Sequence, residues 1–171
     1  KTILDGASKL DEFYDTFCKE QGLAYNIASE LKGSVIAIYG VQSSTEYIAS
    51  RFRAQLAENS KVLATLNLLP EMNHNEIEGW NEKQFGKLKK CAIWISDKGD
   101  NPRILERIKI TSDLLEPIGI KNIFLSIDGD NYSERCLKLL FLTDWISCHL
   151  AEMNNIDPIP VNRIMDLKNK M

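Results

Sequence analysis

The chain has 171 residues, 44% hydrophobic and 26% charged, which suits one ordinary globular core and is cramped for two. A net charge of −3 with acids and bases interspersed leaves no basic surface of the kind nucleic acid requires, and no apolar run approaches the ~20 residues that span a bilayer. Cys18, Cys91, Cys136 and Cys148 are too widely spaced for a zinc or redox motif; they read as buried free thiols in a reducing compartment, hence a cytoplasmic protein.

Lys1–Gly6 is too short and polar for a signal peptide, and the opening Lys in place of Met points to missing upstream sequence. Apolar residues recur at helical steps from Leu10 to Leu31, so one long helix is expected over Ser8–Lys32, stopped by Gly33. Val35–Tyr39 is a short β-branched run between glycines, the pattern of a strand buried on both faces. The Gln42–Thr45 turn opens a second helix, with Ser43 and Glu46 spaced as a capping box. Strands follow at Val62–Thr65, Ala92–Ile95 and Ile123–Ile127, with helices over Arg103–Leu115 and about Ser133–Met153. After Asp157–Pro158 a short helix covers Val161–Lys170. Leu68–Lys90 has no period, and loops of that length in compact domains are usually functional. The alternation implies an α/β fold: a three-layer sandwich in which helices flank a mostly parallel sheet, of flavodoxin-like type.

Three stretches carry candidate chemistry. Ser43, Ser44 and Thr45 offer hydroxyls and helix-start N–H groups to a substrate phosphate, with plain capping as the competing reading, since the loop has one glycine and no cation. Asn73, His74 and Asn75 sit in the long loop after a strand, where open α/β sheets place their sites. Lys168 alone is an ordinary helix-end cation, and His149 beside Cys148 reads as structural.

The loop Asn73-His74-Asn75-Glu76-Ile77-Glu78-Gly79-Trp80, together with Glu58-Asn59 and the tail Asp157-Pro158 … Ile164 … Leu167-Lys168, resembles the bifunctional phosphoglucose/phosphomannose isomerases. The resemblance spans essentially the whole chain. It implies a single sugar isomerase (SIS) domain over 1–171, the second of a tandem pair, with a C-terminal helical extension from about 155. It implies hexose 6-phosphate substrates: glucose and fructose 6-phosphate interconverted through an enediol, with mannose 6-phosphate as a second sugar. Glu58 then matches the base, His74 the histidine that assists ring opening, and Lys168 an active-site lysine, and the resemblance implies no metal or organic cofactor. The family's Thr seven residues before that lysine is Val161 here, which bears on the dual specificity. The first domain of the family carries most phosphate-holding loops, and no Gly-Gly-Ser-Gly or Ser-Gly-Asn-Thr segment occurs in this chain. Little turnover is therefore expected of the chain alone. The rival from another class is a non-catalytic sugar-phosphate-binding or assembly module; an epimerising enzyme is a third reading.

Topology adds one constraint. Glu58 ends a helix near the amino edge of the strand Val62–Thr65, and His74 follows that strand's opposite edge. About five residues at ~3.3 Å separate the edges by roughly 16 Å. One chain therefore cannot bring both groups to one sugar, and a homodimer is expected, as the resemblance also implies.

Overall fold

The computed structural model describes residues 2–171. Four parallel strands, β1 (Ser34–Val41), β2 (Ala64–Leu69), β3 (Lys89–Ile95) and β4 (Ile120–Leu125), form one sheet in the order β2-β1-β3-β4. The chain thus moves to one side of β1 and returns to the other, leaving a switch point between the carboxyl ends of β1 and β3. The interiors of the central strands β1 and β3 are almost wholly apolar, as burial on both faces demands.

The N-terminal segment differs from the single helix expected. It comprises α1 (Thr2–Ala7), α2 (Leu10–Phe13), a π-helical turn at Tyr14–Cys18, and α3 (Leu23–Leu31). The break falls where Gln21 turns left-handed at φ 65° and Gly22 passes so close to the preceding turn that a Cβ would lie 2.8 Å from the Lys19 carbonyl oxygen. Apolar spacing continued across the break because both halves face the same core.

α4 (Glu46–Glu58) follows β1 and buries Ile48, Ala49, Phe52 and Leu56. Gly40 permits its close approach: a Cβ there would stand 2.9 Å from the Ala49 Cβ. β2 begins at Ala64, two residues later than expected, because Val62 still donates to the Leu56 carbonyl in the last turn of α4 (3.0 Å) and Leu63 is 90% exposed. The long connection to β3 holds a 3₁₀ turn at Glu71–His74 and two short helices, α5 (Glu76–Gly79) and α6 (Glu82–Phe85). α7 (Pro102–Leu115) starts on Asn101, whose side chain accepts from the Arg103 N–H (2.9 Å), with proline at the first turn. α8 (Tyr132–Met153) is capped by Asn131 in the same way. α9 (Asn162–Lys170) closes the chain.

Two cores result. α3, α4 and α8 cover one face of the sheet around Ile36, Ile38, Phe52 and Leu142. α7 and the segment after β2 cover the other around Tyr39, Met72, Trp80 and Trp94. All four cysteines are free, with Cys18, Cys91 and Cys136 buried and Cys148 half-buried. His149 is buried with Nε2 2.6 Å from the Cys18 carbonyl oxygen, a packing role. Among the described residues no helix is long and apolar enough to cross a membrane.

Candidate functional site

Glu58 stands on a rigidly held helix end. Arg51 donates twice to Asp144 on α8 (3.2 and 2.8 Å), and Gln55 donates to the same carboxylate (3.1 Å). The next turn is tied by Asn59 to the Ser147 hydroxyl (2.8 Å) and by Ser60 to the Ser147 carbonyl (2.6 Å). Lys61, left-handed at φ 57°, folds back to donate to the Glu58 carbonyl. Beside this end lies a groove of about 520 Å³ lined by Glu58, Lys61, Pro160, Val161, Arg163 and Ile164, among others. The last turn of α4 and the first of α9 therefore share one opening. Lys168 stands on the same helix, one turn beyond Ile164. Lys168 does not itself line the groove, and no residue of α9 is buried.

His74 is elsewhere. It ends the 3₁₀ turn that follows β2, exposed, with its side chain hydrogen-bonded to no other described residue. Its surroundings are firmly anchored. The Tyr39 hydroxyl, fully buried on β1, accepts from Trp80 Nε1 (2.8 Å) and donates to Glu76 Oε1 (2.9 Å). Glu76 Oε2 accepts from Asn67 on β2 (2.9 Å). Burial and the neighbouring Glu76 charge push the Tyr39 phenol above its ordinary range, so it remains a donor. Asn75 caps α5, accepting from the Glu76 N–H (2.6 Å) and donating to Glu71 (3.0 Å). Asn73 donates to the Thr111 hydroxyl (2.8 Å), while its Oδ1 is buried without a donor among the described residues.

Glu58 and His74 are not brought together. Six residues of β2 separate the two ends, about 20 Å at ~3.3 Å per residue. They also lie over opposite faces of the sheet, since α4 belongs to one core and Met72 to the other.

A second opening, about 400 Å³, sits at the switch point between β1 and β3, lined by Ser43, Ser44, Asp97, Asp100 and Tyr132, among others. Thr45 leaves the set of candidate phosphate ligands. It is fully buried, its hydroxyl accepting from the Val41 N–H (2.9 Å) and donating to the Ile95 carbonyl (2.6 Å), so it ties two strand ends together. The Ser43 N–H donates to Glu46 Oε2 (3.0 Å), so an internal carboxylate occupies the place an anion would take. The opposite wall is acidic. Asp97 is buried and held by Arg135 through two hydrogen bonds (2.6 and 2.9 Å), and the guanidinium keeps its carboxyl below the usual range. Tyr132 donates to the Ser44 carbonyl (2.7 Å). A cleft whose anion position is taken by Glu46 and whose opposite wall carries Asp97 and Asp100 is a poor receptor for phosphate. Asp97, Asp100 and Tyr132 went unnoticed in the sequence; the signal was the Asp-Lys-Gly-Asp turn at the end of a buried strand.

Residues 20–171 match the family model described as the bacterial phospho-glucose isomerase C-terminal SIS domain. The chain is 37% identical over 145 residues to a bifunctional phosphoglucose/phosphomannose isomerase of Aquifex aeolicus, covering 85% of this chain and 45% of that protein. It is 36% identical over 155 residues to the enzyme of the same name from Caldicellulosiruptor bescii, covering 90% and 45%. The chain thus spans less than half the length of these relatives. Among solved structures, a glucose-6-phosphate isomerase like protein from Thermus thermophilus shares the fold at TM-score 0.65 and 15% identity, over 88% of this chain and 48% of that one. With its four parallel strands and flanking helices, this chain belongs to the family of bacterial phospho-glucose isomerase C-terminal SIS domains.

Proposed function

We propose that this domain is the half of a hexose 6-phosphate aldose–ketose isomerase that supplies the proton-transfer groups, acting on glucose and fructose 6-phosphate with mannose 6-phosphate as a second substrate. The observation that carries the reading is Glu58: a carboxylate on an immobilised helix end, opening into a groove shared with the helix that bears Lys168. In this role Glu58 removes the C2 proton of the open-chain aldose, giving an enediol, and returns a proton to C1, so the carboxylate is regenerated and no external redox partner enters. His74 passes a proton to the ring oxygen during opening. Lys168 stabilises negative charge developing on the enediolate oxygens. Asn73 and Asn75 hold the His74 loop, and Ser43 and Ser44 face a separate cleft that adds no phosphate contact of its own. The names of the Aquifex and Caldicellulosiruptor relatives support the substrate class. Their length supports a partner SIS domain in the same polypeptide. The unpaired thiols suit a reducing compartment such as the cytoplasm.

The separation of Glu58 from His74 supports a homodimer as the active unit, in which each site takes its carboxylate from one copy and its imidazole from the other. The test uses the intact polypeptide. Glu58→Gln and His74→Ala are each expected to lower kcat by at least ~10³ in a coupled assay with both hexose phosphates. Mixed 1:1 with subunit exchange, half the dimers become hybrids with one intact site of two, which restores about one quarter of wild-type activity. Absence of any recovery from verified hybrids overturns the shared site, and near-wild-type turnover of Glu58→Gln overturns the base.

A further inference from the structure

The chain that leaves α4 carries a residue its backbone disfavours. Lys61 is left-handed at φ 57°, a conformation that costs any residue with a Cβ. The left-handed positions after α3, α6 and α8 hold Gly33, Gly86 and Asn155, residue types that tolerate it. The one after α4 holds a lysine. Backbone kept in a sparsely populated region collects at functional sites, where one particular side chain is needed at that point. The dipole of α4 does not account for it, since a cation within the last helical turn serves the dipole without left-handed backbone.

The surroundings of the side chain do account for it. Lys61 Nζ donates to the Glu58 carbonyl, which uses one of its three N–H groups. The other two have no acceptor among the described residues. Lys61 also lines the groove of about 520 Å³ into which Glu58 opens. The ionisable residues of that lining are Glu58, Lys61 and Arg163, one negative charge against two positive. Arg163 has no ion-pair partner among the described residues. Lys168 does not line this groove, so the cations at hand beside Glu58 are Lys61 and Arg163.

We propose that Lys61 is a further catalytic residue: its ammonium donates hydrogen bonds to the oxygens on C1 and C2 of the open-chain sugar while Glu58 moves the proton between those carbons. This rests on the reading of Glu58 as the base. Negative charge grows on those oxygens as the enediolate forms, and Lys61 is already fixed beside them by its bond to the helix end. The contact is stronger in the transition state than in the ground state, so its contribution falls on kcat. The ammonium keeps its proton throughout, and no bond to Lys61 forms or breaks. Arg163 adds a second positive charge from the α9 side, which favours an anionic substrate.

The test uses the intact polypeptide in a coupled assay with glucose 6-phosphate. Lys61→Met removes the charge and keeps the stem; Lys61→Gly removes the side chain and suits the left-handed backbone. Each is expected to lose at least ~tenfold in kcat with KM within about threefold of wild type. The Tm of Lys61→Gly is expected at or above that of wild type, which separates the loss from unfolding. Lys61→Arg keeps a cation and is expected to recover most of the lost kcat. A Lys61→Met enzyme with kcat within about twofold of wild type overturns the proposal. So does a rise in KM at unchanged kcat, which gives Lys61 a contact common to substrate and transition state. If Glu58→Gln abolishes turnover while Lys61→Met is fully active, this inference fails and the base stands. If Glu58→Gln turns over normally, the base itself fails, whatever Lys61 shows.

Discussion

Tyr39→Phe probes how the fold presents His74. The substitution removes one oxygen from a fully buried ring and leaves the stacking on Trp94 (centroids 4.6 Å apart) unchanged. Two hydrogen bonds disappear, one from Trp80 Nε1 and one to the Glu76 carboxylate. The bond to a carboxylate is worth about 1.5–3 kcal/mol, and an indole N–H left buried without an acceptor costs about 1–3 kcal/mol, less whatever the Trp80 side chain (9% exposed) recovers from water. A net loss of about 2–4 kcal/mol follows. For a domain of this size it lowers Tm by roughly 5–15 °C, at ~2–4 °C per kcal/mol. Because both lost bonds anchor the segment after β2, local opening there is favoured before global unfolding. Differential scanning calorimetry is expected to show the drop. Hydrogen exchange is expected to accelerate at Met72–Phe85 and not in α4 or α8. In the intact polypeptide kcat is expected to fall more than KM rises, since His74 acts on bound substrate. A Tm within about 1 °C of wild type, with loop exchange unchanged, refutes the idea that this hydroxyl holds the His74 loop.

Acid stability should depend on Glu134. Lys138 (2.6 Å) and Lys9 (3.0 Å) bind its side chain and hold its carboxyl down at about 2, against about 4.3 when unfolded. A depressed pKa contributes stability that is complete above the unfolded value and is lost as pH falls through about 4 toward 2; Arg135 adds the same sign at Asp97. Glu134→Gln should therefore lower Tm at pH 7 yet flatten its decline between about pH 5 and 2.5, and a parallel decline in both proteins counts against the pairing. Val161 lines the groove beside Glu58, where the resembling family has Thr. Val161→Thr is expected to raise the mannose-to-glucose 6-phosphate ratio of kcat/KM by up to roughly tenfold, the scale of one hydroxyl contact; an unmoved ratio removes position 161 from sugar discrimination.

Elements with a strong local signature were legible in the sequence. Val35–Tyr39, Ala92–Ile95, α7, α8 and α9 lie within a few residues of their expected bounds, because burial imposes a period on side chains and Asn101-Pro102 marks a helix start chemically. The break at Lys19–Gly22 was not legible, since apolar spacing continues through it while the left-handed turn at Gln21 and the close approach of Gly22 to the Phe17 and Lys19 carbonyls interrupt the helix. β2 was misjudged at both ends for a related reason. As an edge strand it mixes Thr65 and Asn67 with leucines, and its span follows from pairing with β1 rather than from composition.

The candidate site divides along the same line. That Glu58 and His74 flank one strand, and so face opposite ends, follows from chain order in a βαβ unit, and the sequence alone determined it. Tertiary structure decided the rest: Thr45 is spent joining β1 to β3, Glu46 fills the anion position of its own loop, and Val161 with the first turn of α9 comes to lie beside Glu58. Periodicity records whether a side chain is buried; which distant residue it meets depends on how helices and sheet close in three dimensions, and Pro160–Ile164 reaches the end of α4 only after more than a hundred residues have closed between them.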